Sequence, residues 1–173
     1  MKRSLALIAL FLITTVSFVF AQGTPPSPRV KLSSPNKNVS VDYGQPSKRG
    51  RQIFGALVPY GQVWRTGANE ATTITFAKDV TFGGKAVKAG TYTLFTVPTE
   101  KEWTVILNSK TGLWGAYDYE KVKGQNVAEV KVPAKSAKSV VEKMTITPEN
   151  NEVTIAWDQM TVSIPVKEGS TVN

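Results

Sequence analysis

The side chains best suited to chemistry lie close together in the stretch LVPYGQVWRTGANEAT, residues 57–72. Arg65 offers a planar fork of hydrogen-bond donors that suits a carboxylate, a phosphate or a pair of sugar hydroxyls. Asn69 supplies a donor and an acceptor, and Glu70 can accept a hydrogen bond or act as a general base. These groups could hold a small polar ligand without a metal ion. The candidate ligand-binding residues of this stretch are therefore Tyr60, Trp64, Arg65, Asn69 and Glu70.

The same stretch also has a structural interpretation that needs no ligand. Gly67 permits a reversal of the chain that leaves Arg65 and Glu70 on either side of it, close enough to form an ion pair. Tyr60 and Trp64 would then fill the core. Structural ion-pair networks resemble functional sites in their residue types, so the sequence leaves both interpretations open.

A second candidate cluster lies in GLWGAYDY, residues 112–119. Trp114, Tyr117 and Asp118 combine aromatic rings with polar groups, and β-sandwich proteins often bind sugar rings or peptides with such side chains. We expect a small polar, peptide or glycan-like ligand between this loop and the loop that carries Arg65. The alternative is that Trp114 and Tyr117 close the core beneath a long connection.

Catalysis is restricted by two absences, since the chain has no histidine and no cysteine. These absences exclude a Ser-His-Asp triad, an imidazole-ligated zinc site, a thiol nucleophile and a thiolate metal site. A metal-free hydrolase or lyase that uses Glu70 or Asp118 remains an alternative, and a glycosidase would need its two carboxyl groups about 5 to 9 Å apart. A structural accessory protein of the cell envelope is a further alternative. We favour a non-catalytic binding module with no metal and no cofactor.

The N-terminus has the pattern of a secretory signal peptide over residues 1–21. A basic start precedes an apolar run that ends in small residues, so we expect cleavage after Ala21. A retained membrane anchor fits this cleavage pattern less well. We therefore expect an exported protein, periplasmic or extracellular, with no membrane insertion after cleavage. Residues 22–29 are predicted to be a flexible, proline-rich leader, and residues 30–173 a single β-sandwich domain.

The chain is basic, with 21 Lys and Arg residues against 13 Asp and Glu residues. Removal of Lys2 and Arg3 with the signal peptide takes the 21 to 19, which leaves a net charge of +6. Acidic residues are interspersed among the lysines, so a solvated face is favoured over a nucleic-acid surface, and we expect no nucleic-acid partner. Lys48, Arg49 and Arg51 are predicted to form a solvated basic turn or an anion contact at the mouth of the site. The oligomeric state stays open.

Alternating apolar and polar residues predict half-buried β-strands through most of the chain, as in NVSVDY, TTITF and MTVSIPV. Turn signals at Gly83-Gly84, Asn150-Asn151 and Asp158-Gln159 suit tight hairpins. The pattern predicts an all-β sandwich or jelly roll of about ten short, mainly antiparallel strands. At most one short helix is expected, which residues 51–57 could form. Residues 135–143, KSAKSVVEK, are predicted to be a linker.

The run YGQPSKRGRQIFGALVPYGQVWRTGANEATTITF, followed by AGTYTLFTVP, EWTVILN and WGAYDY, resembles an exported bacterial family known as domain of unknown function 2911. The likeness extends from about Val30 to the C-terminus, and its most specific part is VPYGQVWRTGANEAT. The resemblance implies an exported, single-domain, β-rich protein. It implies no activity, so no catalytic residue can be carried over. Its hallmark falls on the loop that carries Arg65, Asn69 and Glu70.

Overall fold

The computed structural model describes residues 26–169, which form ten β-strands in two antiparallel sheets around a shared core. This architecture confirms the predicted all-β sandwich. The predicted signal peptide and the first part of the predicted leader lie outside the described residues. Within residues 26–169, no helix has the length and the apolar character needed to cross a membrane.

In chain order the elements are β1 (Arg29–Ser33), β2 (Val39–Gly44), β3 (Thr73–Phe76), β4 (Val80–Phe82), β5 (Lys85–Val87), β6 (Gly90–Val97), β7 (Glu102–Asn108), α1 (Tyr119–Val122), a 3₁₀ turn (Lys123–Gln125), β8 (Asn126–Pro133), β9 (Lys135–Pro148) and β10 (Glu152–Glu168). Six strands form one sheet in the order β1-β2-β3-β6-β7-β8, and four form the other in the order β5-β4-β10-β9. The tight turns predicted at Gly83-Gly84 and Asn150-Asn151 are confirmed, since they connect β4 to β5 and β9 to β10.

The longest strand, β10, corrects the hairpin predicted at Asp158-Gln159. The strand runs through both residues for a total of 17 residues. Asp158 adopts a φ of 52°, and the pairing of β10 with β9 shifts on both sides of it. The buried positions change there from odd numbers, such as Trp157, to even numbers, such as Val162. The irregularity thus keeps the apolar side chains of both halves in the core, which a regular strand could not do.

The linker predicted over residues 135–143 is also wrong, because this segment is the first part of β9. It pairs with the second half of β10, with Ser136 opposite Met160 and Val141 opposite Asp158. Most of its side chains are exposed. Burial therefore imposes no alternation on this part of the strand, and the sequence pattern that would have revealed it is missing.

An aromatic cluster joins the long connection between β2 and β3 to both sheets. Phe54 and Trp64 belong to this connection, Trp103 belongs to β7 and Trp157 belongs to β10. The contacting rings have centroids 5.1 to 6.3 Å apart. Residues 51–57, which the sequence marked as a possible helix, form hydrogen-bonded turns instead. The connection is therefore anchored by large side chains rather than by regular secondary structure.

Candidate functional site

Backbone hydrogen bonds fix the loop that carries the first set of candidate residues against the six-stranded sheet. Trp64 pairs with Thr96 of β6 through bonds in both directions, of 2.7 and 3.0 Å. The amide of Ala68 donates to the carbonyl of Gly44, the last residue of β2, over 3.1 Å. The backbone on either side of Arg65 is therefore tied to the sheet.

Two glycines allow this close approach between the loop and β2. A Cβ atom on Gly44 would lie 2.1 Å from the carbonyl oxygen of Ala68. A Cβ atom on Gly67 would lie 2.9 Å from the carbonyl oxygen of Gly44 and 2.9 Å from the hydroxyl oxygen of Thr72. Neither position has room for a side chain, so the glycines of the sequence serve to bring two backbones together.

A surface cavity of about 360 Å³ lies between this loop and the chain that precedes β1. The side chains with a formal charge that line it are both arginines, Arg51 and Arg65. Asn69 and Ser27 add polar atoms. No acidic residue of the described part of the chain lines the cavity, so its charge favours an anion. The apolar part of its wall comes from Pro26, Pro46, Leu57, Val58, Trp64 and Trp157.

Arg65 is half-buried in the cavity wall and has no ion pair or hydrogen bond through its side chain to any of residues 26–169. Its Nε atom is buried and lacks a partner. The ion pair predicted between Arg65 and Glu70 is wrong, because Glu70 is exposed and accepts a hydrogen bond from Arg29 Nη1 over 3.2 Å. The two side chains lie on different surfaces of the loop, one in the cavity and one beside β1.

Asn69 lines the same cavity and connects three segments of the chain. Its φ is 63°, a left-handed conformation that asparagine tolerates well. Its Nδ2 atom donates to the carbonyl of Ser27 over 3.3 Å. Its own carbonyl accepts from the amide of Gly115 over 3.1 Å. Asn69 therefore holds the chain before β1 against the cavity and links the two candidate loops.

The second candidate loop adjoins the first through the backbone, but its side chains stay outside the cavity. Glu70 and Trp114 form an antiparallel bridge. Trp114 is 61% exposed and Tyr117 is 80% exposed, so neither closes the core. Asp118 is exposed and pairs with Lys121 over 2.7 Å. The structure thus groups Trp64, Arg65 and Asn69 in one cavity and leaves the side chains of Glu70, Trp114, Tyr117 and Asp118 outside it.

Tyr60 also lies outside the cavity. It is half-buried, and its hydroxyl is 4.0 Å from the sulfur of Met160. It lines a separate surface hollow beside Glu100. Burial raises the pKa of the Tyr60 hydroxyl, and the negative charge of Glu100 raises it further. These contacts are those of a packing residue at the edge of the core.

Most of the apolar residues that line the cavity were not among the candidate residues predicted from the sequence. Trp157 comes from a strand whose pattern indicates only core packing, and no local signal marks it as a neighbour of Arg65. Leu57 begins the candidate stretch 57–72, but its apolar side chain did not mark it as a ligand contact. For Arg51 the sequence left two alternatives open, a solvated basic turn or an anion contact at the mouth of the site. The structure shows that Arg51 lines the cavity. Its Nε and Nη2 atoms donate to the carbonyls of Lys48 and Ser47 over 3.0 and 2.7 Å.

Residues 26–169 contain no cluster of three or more acidic side chains that could hold a metal ion.

Comparison with known proteins gives one match. The family model described as "Protein of unknown function (DUF2911)" matches residues 25–166, which include both candidate loops and every residue that lines the cavity. No curated protein and no solved structure matches the chain.

Proposed function

This chain belongs to the DUF2911 family, and we propose that it is a non-catalytic protein that binds a small anionic ligand in the cavity beside Arg65. The description of the family carries no activity, so the proposal depends on the cavity itself. The signal-peptide pattern of residues 1–21 supports a location outside the cytoplasm, in the periplasm or beyond the cell.

The observation that carries this proposal is the guanidinium of Arg65. A charged group that is partly removed from water is normally paired, because desolvation of an isolated charge costs free energy. Arg65 has no protein partner among residues 26–169, and its Nε atom is buried. An anion in the cavity would supply the counter-charge. A hydrogen bond between the ligand and this charged guanidinium would contribute roughly 1.5 to 3 kcal/mol to the free energy of binding.

Arg51 supports the proposal with a second positive charge in the same cavity. Two of its nitrogen atoms donate to the carbonyls of Ser47 and Lys48, which hold the guanidinium in one orientation. The backbone around Arg65 is likewise tied to the sheet, through the adjacent Trp64. A site whose charged groups are already oriented loses less conformational entropy when a ligand binds.

Catalysis by Glu70 or Asp118 has less support. Each carboxylate is exposed and pairs with a cation, Arg29 at 3.2 Å or Lys121 at 2.7 Å. Neither residue lines the cavity. A general acid or base is expected within hydrogen-bond reach of a substrate held in a cleft, and these two carboxylates lack that setting.

An NMR titration of residues 22–173 with acetate and with inorganic phosphate, at constant ionic strength, tests the proposal. We expect saturable shift changes that are confined to residues around the cavity. Arg65→Gln should lower the affinity at least about tenfold, the equivalent of losing one charged hydrogen bond.

Arg49→Gln is the matched control, because Arg49 carries the same charge but is exposed and does not line the cavity. We expect this variant to keep the affinity within about twofold, since only long-range attraction is lost. Equal losses in the two variants would indicate non-specific charge attraction and would contradict the proposal. Far-UV circular dichroism of both variants establishes that they are folded.

A further inference from the structure

We infer that the ligand of this cavity is an organic carboxylate with an apolar body, an inference that rests on the proposed function and names its ligand class. The cavity combines two positively charged groups, Arg51 and Arg65, with a smaller apolar surface to which Leu57 and Trp64 contribute. The two arginines favour a negatively charged ligand, and the apolar side chains favour a ligand whose charged group carries a hydrophobic body.

The available hydrogen-bond donors suit a carboxylate. The Nε atom of Arg65 is buried, so a ligand can reach this guanidinium only through its Nη1 and Nη2 edge. The two parallel N–H groups of such an edge match the two oxygens of one carboxylate. Arg51 already donates from Nε and from Nη2 to carbonyl oxygens, which leaves Nη1 and the second N–H group of Nη2 for a ligand.

A phosphate or sulfate would find fewer backbone donors in this cavity than its usual sites offer. Sites for such anions commonly present several free backbone amides, as at a helix N-terminus or in a backbone nest. Here the amides of Val58, Trp64 and Ala68 donate to protein carbonyls over 2.9, 2.7 and 3.1 Å. These three residues line the cavity, so much of its backbone has no donor to offer. The negative charge of the ligand must therefore be recognised mainly by the arginine side chains.

The apolar wall indicates that the carboxylate carries a hydrophobic group. Leu57 lines the cavity and is 47% exposed, one of few large apolar side chains on the surface of residues 26–169. Trp64 is half-buried in the same wall. The cavity volume of about 360 Å³ falls within the range of small-molecule sites, roughly 300 to 1,000 Å³, and exceeds what an inorganic ion fills. An apolar body would cover Leu57 and remove it from water.

Four probes test the inference in the folded chain of residues 22–173: phenylacetate, acetate, inorganic phosphate and the neutral 2-phenylethanol. Their affinities are measured by NMR titration at one ionic strength. We expect phenylacetate to bind at least tenfold more tightly than acetate, phosphate or 2-phenylethanol. Leu57→Asn should lower the affinity for phenylacetate at least fivefold and change that for acetate by less than twofold. Val127→Asn is the control, since Val127 is 43% exposed and does not line the cavity.

The outcomes separate this inference from the proposed function. If acetate or phosphate binds as tightly as phenylacetate and the binding depends on Arg65, the cavity binds anions and only the ligand class is wrong. If 2-phenylethanol binds as tightly as phenylacetate, charge plays no part and the proposed function fails. If none of the four probes binds, both fail. A loss of phenylacetate affinity in Val127→Asn equal to that in Leu57→Asn overturns the assignment of the apolar wall.

Discussion

Trp64 and Trp157 stack on each other, with ring centroids 5.9 Å apart and ring planes inclined by 17°. Trp64 belongs to the connection between β2 and β3, whereas Trp157 belongs to β10 of the opposite sheet. Both residues line the cavity, and Trp64 directly precedes Arg65 in the chain. The stack therefore couples the position of the arginine to the packing between the sheets.

We expect Trp157→Ala to lower the free energy of unfolding by roughly 3 to 5 kcal/mol, because a large buried ring leaves a cavity beside Trp64 and Phe54. Urea denaturation followed by circular dichroism measures the loss. Trp114→Ala is the matched control, since Trp114 is 61% exposed, and it should cost less than about 1 kcal/mol. Similar losses in the two variants would mean that the stack does not hold the loop.

Arg65→Met should leave the free energy of unfolding unchanged or raise it by up to about 2 kcal/mol. The substitution removes a buried nitrogen atom that has no protein partner and keeps much of the apolar volume of the side chain. In Arg29→Met, by contrast, the ion pairs to Asp42 and Glu70 are lost, and we expect a decrease of up to about 1 kcal/mol. A decrease above about 2 kcal/mol in Arg65→Met would show that Arg65 has a structural role instead.

The ion pair that Glu70 forms with Arg29 shows how far the sequence could predict this site. The strand alternation and most turns follow from local chemistry, and both are confirmed. The pairing of Glu70 depends instead on Arg29, which lies 41 positions earlier in the chain. No local pattern indicates which strand lies beside a loop, so the neighbouring Arg65 was the natural but wrong partner.

Contacts between distant segments also explain why the hairpin at Asp158 was wrongly predicted and why some cavity residues were not predicted. Around Asp158 the apolar residues change from odd to even positions, and both a hairpin and an irregular strand accommodate such a change. Only the pairing of β10 with the exposed part of β9 decides between them. Trp157 likewise becomes a cavity residue through a contact between distant segments, although its burial alone says nothing about a ligand.

A double-mutant cycle can test the corrected partner of Glu70. We expect Arg29→Ala and Glu70→Ala to show a coupling of about 0.2 to 1 kcal/mol that decreases as salt is added, because the pair is exposed. The same cycle with Arg65→Ala should give a coupling within error of zero. A larger coupling of Glu70 to Arg65 than to Arg29 would restore the ion pair that the loop sequence predicts.

A second electrostatic prediction concerns Asp79, which accepts hydrogen bonds from Lys88 Nζ and from the amide of Ala89 over 2.8 and 2.9 Å. The bond from Lys88, followed by that from Ala89, lowers the pKa of the Asp79 carboxyl. A carboxyl with a lower pKa in the folded state stabilises the protein above its unfolded pKa of about 3.9, and this contribution is lost as the pH falls through the folded pKa. The urea midpoint should therefore fall more steeply below about pH 4 in the wild-type chain than in Asp79→Asn. Parallel pH profiles would contradict this.

Gly44→Ala tests the contact that brings the candidate loop onto β2. The new methyl group would lie 2.1 Å from the carbonyl oxygen of Ala68, so the loop must move away from the strand. We expect the free energy of unfolding to fall by at least about 2 kcal/mol. Anion affinity should fall as well, because Ala68 lines the cavity that Arg65 shares.

Gly124→Ala is the matched control for this substitution. A Cβ atom on Gly124 would meet nothing within 4 Å, and its backbone does not require the left-handed conformation. We expect its unfolding free energy to stay within about 1 kcal/mol of the wild-type value, since the lost flexibility of the unfolded chain favours folding slightly. Urea denaturation and the phenylacetate titration of both variants measure the two effects. If Gly44→Ala is as stable as Gly124→Ala and binds phenylacetate normally, the loop does not need its contact with β2. The backbone bonds between Trp64 and Thr96 and the tryptophan stack would then be enough to hold the cavity.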